Sequence, residues 1–478
     1  MAAAAPEFTV LGRPIPRVEG PDKVTGHAHY AADVVLPDTL WAKNVLSPIP
    51  HARIASIDTS RALRVPGVRL VLTSDDIPFK RIGRRLKDYP VLARERVRFV
   101  GERVAVVAAD SRDAAEEAAL LVDVEYEELP ALFDPLQAME PDAPLLHPEL
   151  RSYVGFPDYV PEELRNVCAR MDMTRGDVAA GFAQADLVLE HTFRTGTMHQ
   201  GYIEPHATVV AINESGRVEF WHANKALFRT KDEMAQIIDL PAEQLLFHAV
   251  SIGGDFGAKG SPGDAPAGYH IARKTGRPVK FITTNQEELT ASTPRHSAVI
   301  KIKSGVKRDG TIVAREVLVV YNSGAYGAFR PNVQDGMLPG AGQAGGQYAI
   351  PNLHIDGRMV YTNEMPRGYM RSPGQPQAVF AVEAHTDLLA QALGMDRLEI
   401  RLKNAIRNPD GSESTAPALL RAAAEAVGWG EAGGDKLEAG AGDRVPSRLV
   451  GRGIGIAARN MGGGNGSSDI THDMLAFG

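Results

Sequence analysis

Hydrophobic and polar positions along this chain follow two periods, and the switches between them mark its elements. The run Val104-Ala105-Val106-Val107-Ala108-Ala109 has the length and apolar continuity of a buried strand. Asp110 or Ser111 is then placed to cap a helix over residues 112–121. Val122, Val124 and Tyr126 alternate with acids, which predicts a half-buried strand. Two hairpins follow from turn chemistry. Asn213-Glu214-Ser215-Gly216 separates apolar runs at 207–212 and 218–221, and Asp309-Gly310 separates those at 298–306 and 312–321. Helical periodicity covers 228–238, 267–274 (stopped by Gly276) and a long stretch from Pro376 to Leu393, stopped by Gly394. Asp396-Arg397-Leu398-Glu399 reads as a capping box for one more short helix, to Asn404.

These elements predict an α+β protein in several units. Residues 1–16 read as a tail and 17–135 as a first unit. Residues 136–175 carry Pro141, Pro144, Pro148, Pro157 and Pro161 and read as an extended connector. A second unit spans 176–406. Residues 407–447, rich in Gly, Ala, Asp and Glu, read as a small helical insert and linker, and 448–478 as the opening of a domain that does not finish.

Composition narrows the function. The net charge is −7 and no basic run is read against it, which argues against nucleic acid and acidic membrane surfaces as partners. No apolar stretch approaches the roughly 18 residues of a membrane span, and no signal peptide is evident at the start, so a cytoplasmic location is expected. Cys168 is the single cysteine. The chain by itself therefore holds neither a disulfide nor an iron–sulfur cluster.

The candidate chemistry sits in three segments. Residues Leu245 to Val250 read as a buried strand that opens into Gly253-Gly254-Asp255-Phe256-Gly257-Ala258-Lys259-Gly260, where four of eight residues are glycine. That density lets backbone N–H groups approach a flat or anionic ligand. The spacing is neither a Walker loop nor a dinucleotide fingerprint. Met370-Arg371-Ser372-Pro373-Gly374 precedes the long helix, whose free N–H groups favour an anion. In His199-Gln200-Gly201-Tyr202-Ile203-Glu204-Pro205-His206, a strand would put Gln200, Tyr202, Glu204 and His206 on one face.

Together these segments resemble the molybdenum-cofactor subunit of the xanthine dehydrogenase/aldehyde oxidase family, over residues 17 to about 457. Residues 17–26, Arg-Val-Glu-Gly-Pro-Asp-Lys-Val-Thr-Gly, look like the start of its a/b hammerhead domain, and Val100-Gly101-Glu102 is similar to a strand entry within it. Gly253 to Lys259 is similar to the family's Gly-Gly-x-Phe-Gly-x-Lys loop. Arg371 to Gln377 stands where the family has Arg-Gly-Phe-Gly-x-Pro-Gln. The resemblance implies a hammerhead domain, then molybdenum-cofactor-binding domain I, and only the beginning of domain II. It also implies a molybdenum pyranopterin, in bacterial members often a cytosine dinucleotide, with no metal ligand from the protein. Gly253, Gly254, Phe256, Gly257, Lys259, Arg371 and Gln200 would surround it, with Arg371 beside the metal centre. The implied reaction is water-dependent hydroxylation of an aldehyde or N-heteroaromatic carbon, with 2Fe-2S and FAD subunits as partners.

The departures bear on substrate. Gly260 stands where xanthine-specific members carry glutamate, Pro339 near where they carry arginine, and Pro373 replaces a pocket phenylalanine. This argues against xanthine, whose polar edges would be left unpaired. Alignment on Glu204 puts Met198 at the apical glutamine position, with Gln200 two residues away. The chain stops before the family's base glutamate and its Gly-Gln-Gly loop. Glu204, Glu287, Glu288 and Glu383 do not match the base position, and Glu383 reads as structural. A second molybdopterin-binding polypeptide is therefore expected to complete the site. A hydratase or dehydroxylating component, or a non-catalytic remnant, are the other readings.

Overall fold

The computed structural model describes residues 9–329, 338–408, 410–430, 453–459 and 473–477. Two sheets carry the molecule. The first has seven strands in the order Leu245–His248, Val218–His222, Ala207–Ile212, Val279–Ile282, Leu40–Leu46, Arg103–Ala109, Val68–Thr73. The apolar run at 104–109 is the next-to-last strand of this sheet, with every residue from Val104 to Ala109 buried. Ser111 caps the helix behind it, Arg112–Ala119, by accepting from the Ala114 N–H at 3.2 Å.

This sheet crosses the boundary between the two units. Leu40–Leu46 runs parallel to Val279–Ile282, in the register Leu40↔Val279. One core then mixes Leu40, Leu72 and Val106 with Val210, Phe220 and Phe281. The units are fused through hydrogen bonds and a shared interior.

The second sheet orders Leu187–Thr195, Ala298–Val306, Ile312–Gly324, Asn352–Tyr361 and Val167–Arg175. All its pairs are antiparallel except Ile312–Gly324 with Asn352–Tyr361. The helix Gln375–Leu393 lies against it and adds Ala378, Ala381 and Leu389 to a core that includes Ile300, Ile302, Val319 and Tyr321. Gly394 ends this helix at φ 61° and Gly276 ends Ala265–Thr275 at φ 68°, both left-handed, as the stop signals predict.

Three expectations change. The segment 136–175 is not connector throughout, because Val167–Arg175 is an edge strand of the second sheet. Its prolines end at Pro161, and Val167, Cys168, Ala169 and Met171 are buried beyond them. Residues 199–206 form no strand, since Gly201 turns at φ 64° and Pro205 lacks a donor. Asp396 caps Arg397–Asn404 by accepting from Leu398 and Glu399 N–H groups, with no reciprocal bond from Glu399. The insert supplies one helix, Thr415–Ala426, capped by Ser414; residues 431–452 lie outside the described residues. Gly455–Arg459 is a strand, as expected, and pairs with Asp473–Phe477. Among the described residues no helix is long and apolar enough to cross a membrane.

Candidate functional site

The glycine loop leaves the strand Leu245–His248 and is held from below by charge. Glu204 Oε2 accepts from the Gly253 N–H and from Lys259 Nζ, each at 2.6 Å. Lys259 Nζ also donates to the Glu204 carbonyl at 2.6 Å and lies 4.8 Å from the centre of the Tyr202 ring. The Lys259 side chain has no exposed surface. Its ammonium thus faces inward and positions the loop, so it is not a cation offered to a ligand. Asp255 closes the turn, accepting from the Gly257 N–H at 3.0 Å and the Lys259 N–H at 2.6 Å.

Those bonds engage the Gly253 and Gly257 amides. Among the described residues, the N–H groups of Gly254, Asp255 and Phe256 make no hydrogen bond. They are the donors a ligand could reach. Phe256 sits at φ 47° and is half exposed, so the turn pushes its ring outward.

The second loop docks on the first through backbone. The Arg371 N–H donates to the Phe256 carbonyl at 2.7 Å. Gly257, at φ 121°, lets the two segments of chain touch: a Cβ there would lie 2.4 Å from the Tyr369 carbonyl oxygen. Gln200 Nε2 donates to that same carbonyl at 2.9 Å and to the Thr293 carbonyl at 2.8 Å. Arg295 Nη2 donates to the Arg371 carbonyl at 2.6 Å. Tyr321 donates to the Gly374 carbonyl at 3.2 Å, just before the long helix begins. The Arg371 side chain is exposed and makes no hydrogen bond or ion pair among the described residues.

Sequence reasoning thus names residues that the fold brings together. Gly253, Gly254, Phe256, Gly257, Arg371 and Gln200 share one place, and Lys259 underlies it. Gln200 is buried, and its Oε1 has no partner among the described residues. Met198 is more than half exposed. Pro339 abuts the arginine loop, since a Cβ on Gly374 would meet its carbonyl oxygen at 2.0 Å.

Beneath the site, Glu288 accepts from Tyr202 Oη and the His206 N–H, both at 2.5 Å, and from Thr283 Oγ1 at 2.5 Å. Burial alone would raise the Glu288 pKa, but the hydrogen bonds and charge of His206, with Thr283, outweigh it and hold it at about 2. Glu383 is structural, bonded to Tyr348 and Arg401. Among the described residues no three His, Cys, Asp or Glu side chains converge as a metal site.

Three residues escaped the sequence reading. Arg295 and Tyr369 carry no pattern signal, being single residues beside turns. Arg84 does have one. It lies in Lys80-Arg81-Ile82-Gly83-Arg84-Arg85-Leu86-Lys87, a basic run masked by the overall negative charge, and its Nη2 donates to the Gly260 carbonyl at 2.6 Å.

Comparison with known proteins assigns the family. Residues 25–130 match the aldehyde oxidase and xanthine dehydrogenase a/b hammerhead domain, and residues 160–405 the molybdopterin cofactor-binding domain. The chain is 34% identical over 403 residues to the nicotinate dehydrogenase large molybdopterin subunit of Eubacterium barkeri, covering 84% of this chain and 90% of that one. It is 34% identical over 422 residues to the aldehyde oxidoreductase of Megalodesulfovibrio gigas, covering 84% of this chain but 45% of the relative. The fold matches CO dehydrogenase from Oligotropha carboxidovorans with a TM-score of 0.78 at 30% identity, over 87% of this chain and 54% of that one. The chain therefore spans about half the length of two of these relatives and nearly all of the third. It belongs to the xanthine dehydrogenase and aldehyde oxidase family, as a molybdopterin-binding subunit.

Proposed function

We propose that this chain is the cofactor-binding component of a multi-subunit molybdenum hydroxylase. It oxidises an aldehyde or an N-heteroaromatic or aromatic carbon, with water as the oxygen source. One observation carries the reading: the Arg371 N–H to Phe256 carbonyl bond of 2.7 Å, which joins the two loops and leaves their ligand-facing groups unengaged. The residues present fit a molybdenum pyranopterin. The amides of Gly254, Asp255 and Phe256 and the orphan Gln200 Oε1 offer polar contacts, and Arg371 offers positive charge. The first turn of Gln375–Leu393 adds the positive end of a helix to the same region. When bound, such a group supplies the two-electron acceptor for hydroxylation.

This chain's own part is placement. Phe256 shapes the open side, Arg371 stabilises developing negative charge, and the Glu204–Lys259 pair keeps the glycine loop rigid. The proton-accepting glutamate is proposed to come from a second molybdopterin-binding chain or segment. The Eubacterium relative supports a partner chain, because it is called a large molybdopterin subunit and this chain covers 90% of it. Its nicotinate substrate supports the N-heteroaromatic class. The cytosine dinucleotide form of the pterin, 2Fe-2S and FAD subunits and a cytoplasmic setting complete the proposal.

The test is co-expression with the neighbouring reading frames, followed by metal analysis and turnover in ¹⁸O-labelled water. The expected result is molybdenum in the complex, label in the product and reduction of an electron acceptor. Water addition with no acceptor reduced would reject the hydroxylase in favour of a hydratase, and absence of molybdenum would reject both.

A further inference from the structure

The end of the glycine loop carries a feature that the cofactor reading does not use. The Gly260 carbonyl accepts from Arg84 Nη2 at 2.6 Å and from Arg229 Nη2 at 3.3 Å. A Cβ at Gly260 would lie 3.0 Å from Arg84 Nη2, 3.4 Å from Arg229 Nη2 and 3.5 Å from Lys225 Cε. Three cationic side chains, Arg84 from one segment and Lys225 and Arg229 from around the start of one helix, thus converge on one backbone position that has no side chain of its own. We infer that Arg84, Arg229 and Lys225 form a subsite for a carboxylate carried by the substrate. The inference rests on reading the two loops as the cofactor site.

The charges around Gly260 are incompletely balanced. Lys225 is answered by Asp255 at 2.7 Å, and Arg229 lies 3.6 Å from Glu233. Arg84 makes no ion pair among the described residues, and its Nε is buried without a hydrogen-bond partner. Two guanidinium groups on one neutral carbonyl repel each other, and a carbonyl oxygen returns less than a carboxylate would. Burial, then the Arg229 charge, holds the Arg84 pKa below its ordinary value, and the opposing influence of Tyr369 and Glu233 does not outweigh them. A carboxylate matches the planar fork of arginine with two parallel bonds.

The location suits a substrate group. Arg84 touches both loops, since its guanidinium donates to Gly260 and lies 4.7 Å from the centre of the Tyr369 ring. Tyr369 is two residues before Arg371, and its carbonyl accepts from Gln200. An anion held here lies beside the two loops that the Arg371 N–H to Phe256 carbonyl bond joins. It is also reachable, because the Lys225 and Arg229 side chains are 41% and 47% exposed. The helix Leu227–Ile238 begins beside these two residues without a side-chain cap, which adds positive potential.

The experiment measures calorimetric binding of nicotinate and nicotinamide, which share a ring and differ in charge, to the purified complex. Turnover of whichever probe is oxidised is measured alongside. The acid is expected to bind roughly tenfold or more tightly than the amide, with a preference that shrinks as salt is added. Arg229→Gln, at an exposed position with little risk to folding, should cut that preference several-fold. Gly260→Glu, which places a carboxylate among the three cations, should abolish it. Equal binding of the two probes, or a preference that survives both variants, overturns the subsite. So does loss of molybdenum or pterin from Arg229→Gln, since the cations would then serve the cofactor. A complex that holds no molybdenum yet keeps the acid preference overturns the hydroxylase reading and leaves the anion subsite standing.

Discussion

The two loops of the site are held in opposite ways. The glycine loop is fixed by side-chain charge: Glu204 grips the Gly253 amide and the buried Lys259 ammonium, and Asp255 ties the turn to itself. The arginine loop is fixed by its backbone, through the Tyr369, Arg371 and Gly374 carbonyls and the Arg371 amide. In the first loop the cation is sealed inside. In the second it is released to the surface. The difference separates two uses of positive charge. A lysine that is enclosed and paired gives shape, whereas an arginine whose loop is held by other means is left with its charge exposed.

The strongest way to break this comparison is to remove the enclosed cation. Lys259→Met leaves the Glu204 carboxylate buried without its partner, and its Oε1 is already unsatisfied. Breaking a buried pair from one side costs about 3–5 kcal/mol. The expected result is a fall of that size in unfolding free energy, read by chemical denaturation. Adding Glu204→Gln should recover part of the loss, because no buried charge then remains. If Lys259→Met unfolds like the parent but loses ligand affinity, the lysine serves the ligand and the contrast between the loops collapses.

Acid should loosen the charged side next. Glu288 holds Tyr202 and His206, which flank Glu204, and its pKa is depressed from 4.5 to about 2. A depressed carboxylate contributes stability that is fully present above its unfolded pKa and is lost as pH falls through the folded one. The window is therefore pH 4.5 down to about 2, and the contribution is on the order of 3 kcal/mol. Urea unfolding across that window should show a steeper loss for the parent than for Glu288→Gln. Parallel curves would show that Glu288 does not carry the acid sensitivity.

How far the sequence foretold this site follows from the range of each interaction. The helix stops at Gly276 and Gly394, the hairpin at 213–216 and both functional loops were legible because each depends on neighbours in the chain. The direction of Lys259 was not, since its partner Glu204 lies 55 residues away. Nor was the joining of the two units in one sheet, which needs Leu40 beside Val279. The polar alternation at 199–206 misled for a local reason: Gly201 and Pro205 break the strand that the period suggested. Gln200 nevertheless reaches the site, through a turn in place of a pleat. Backbone docking of the two loops left no trace in residue type beyond Gly257, whose missing Cβ permits it.

The smallest expected change in stability is the most informative about function. Arg371→Ala removes an exposed side chain that makes no bond among the described residues. The hydrogen bonds that hold its loop, among them Arg371 N–H to Phe256 and Arg295 to the Arg371 carbonyl, are made to the loop's main chain and survive the substitution. The unfolding free energy should move by less than about 0.5 kcal/mol. Activity of the assembled complex should fall by about a hundredfold or more, as for loss of a donor aimed at developing charge. Arg371→Lys should restore part of it, since charge returns without the planar fork. A destabilisation of about 1 kcal/mol or more would mean that the side chain supports the loop after all, and then both cations would be structural. Unchanged stability with lost turnover would confine the effect of Arg371 to the chemistry, which is what its unpaired charge on a backbone-held loop requires.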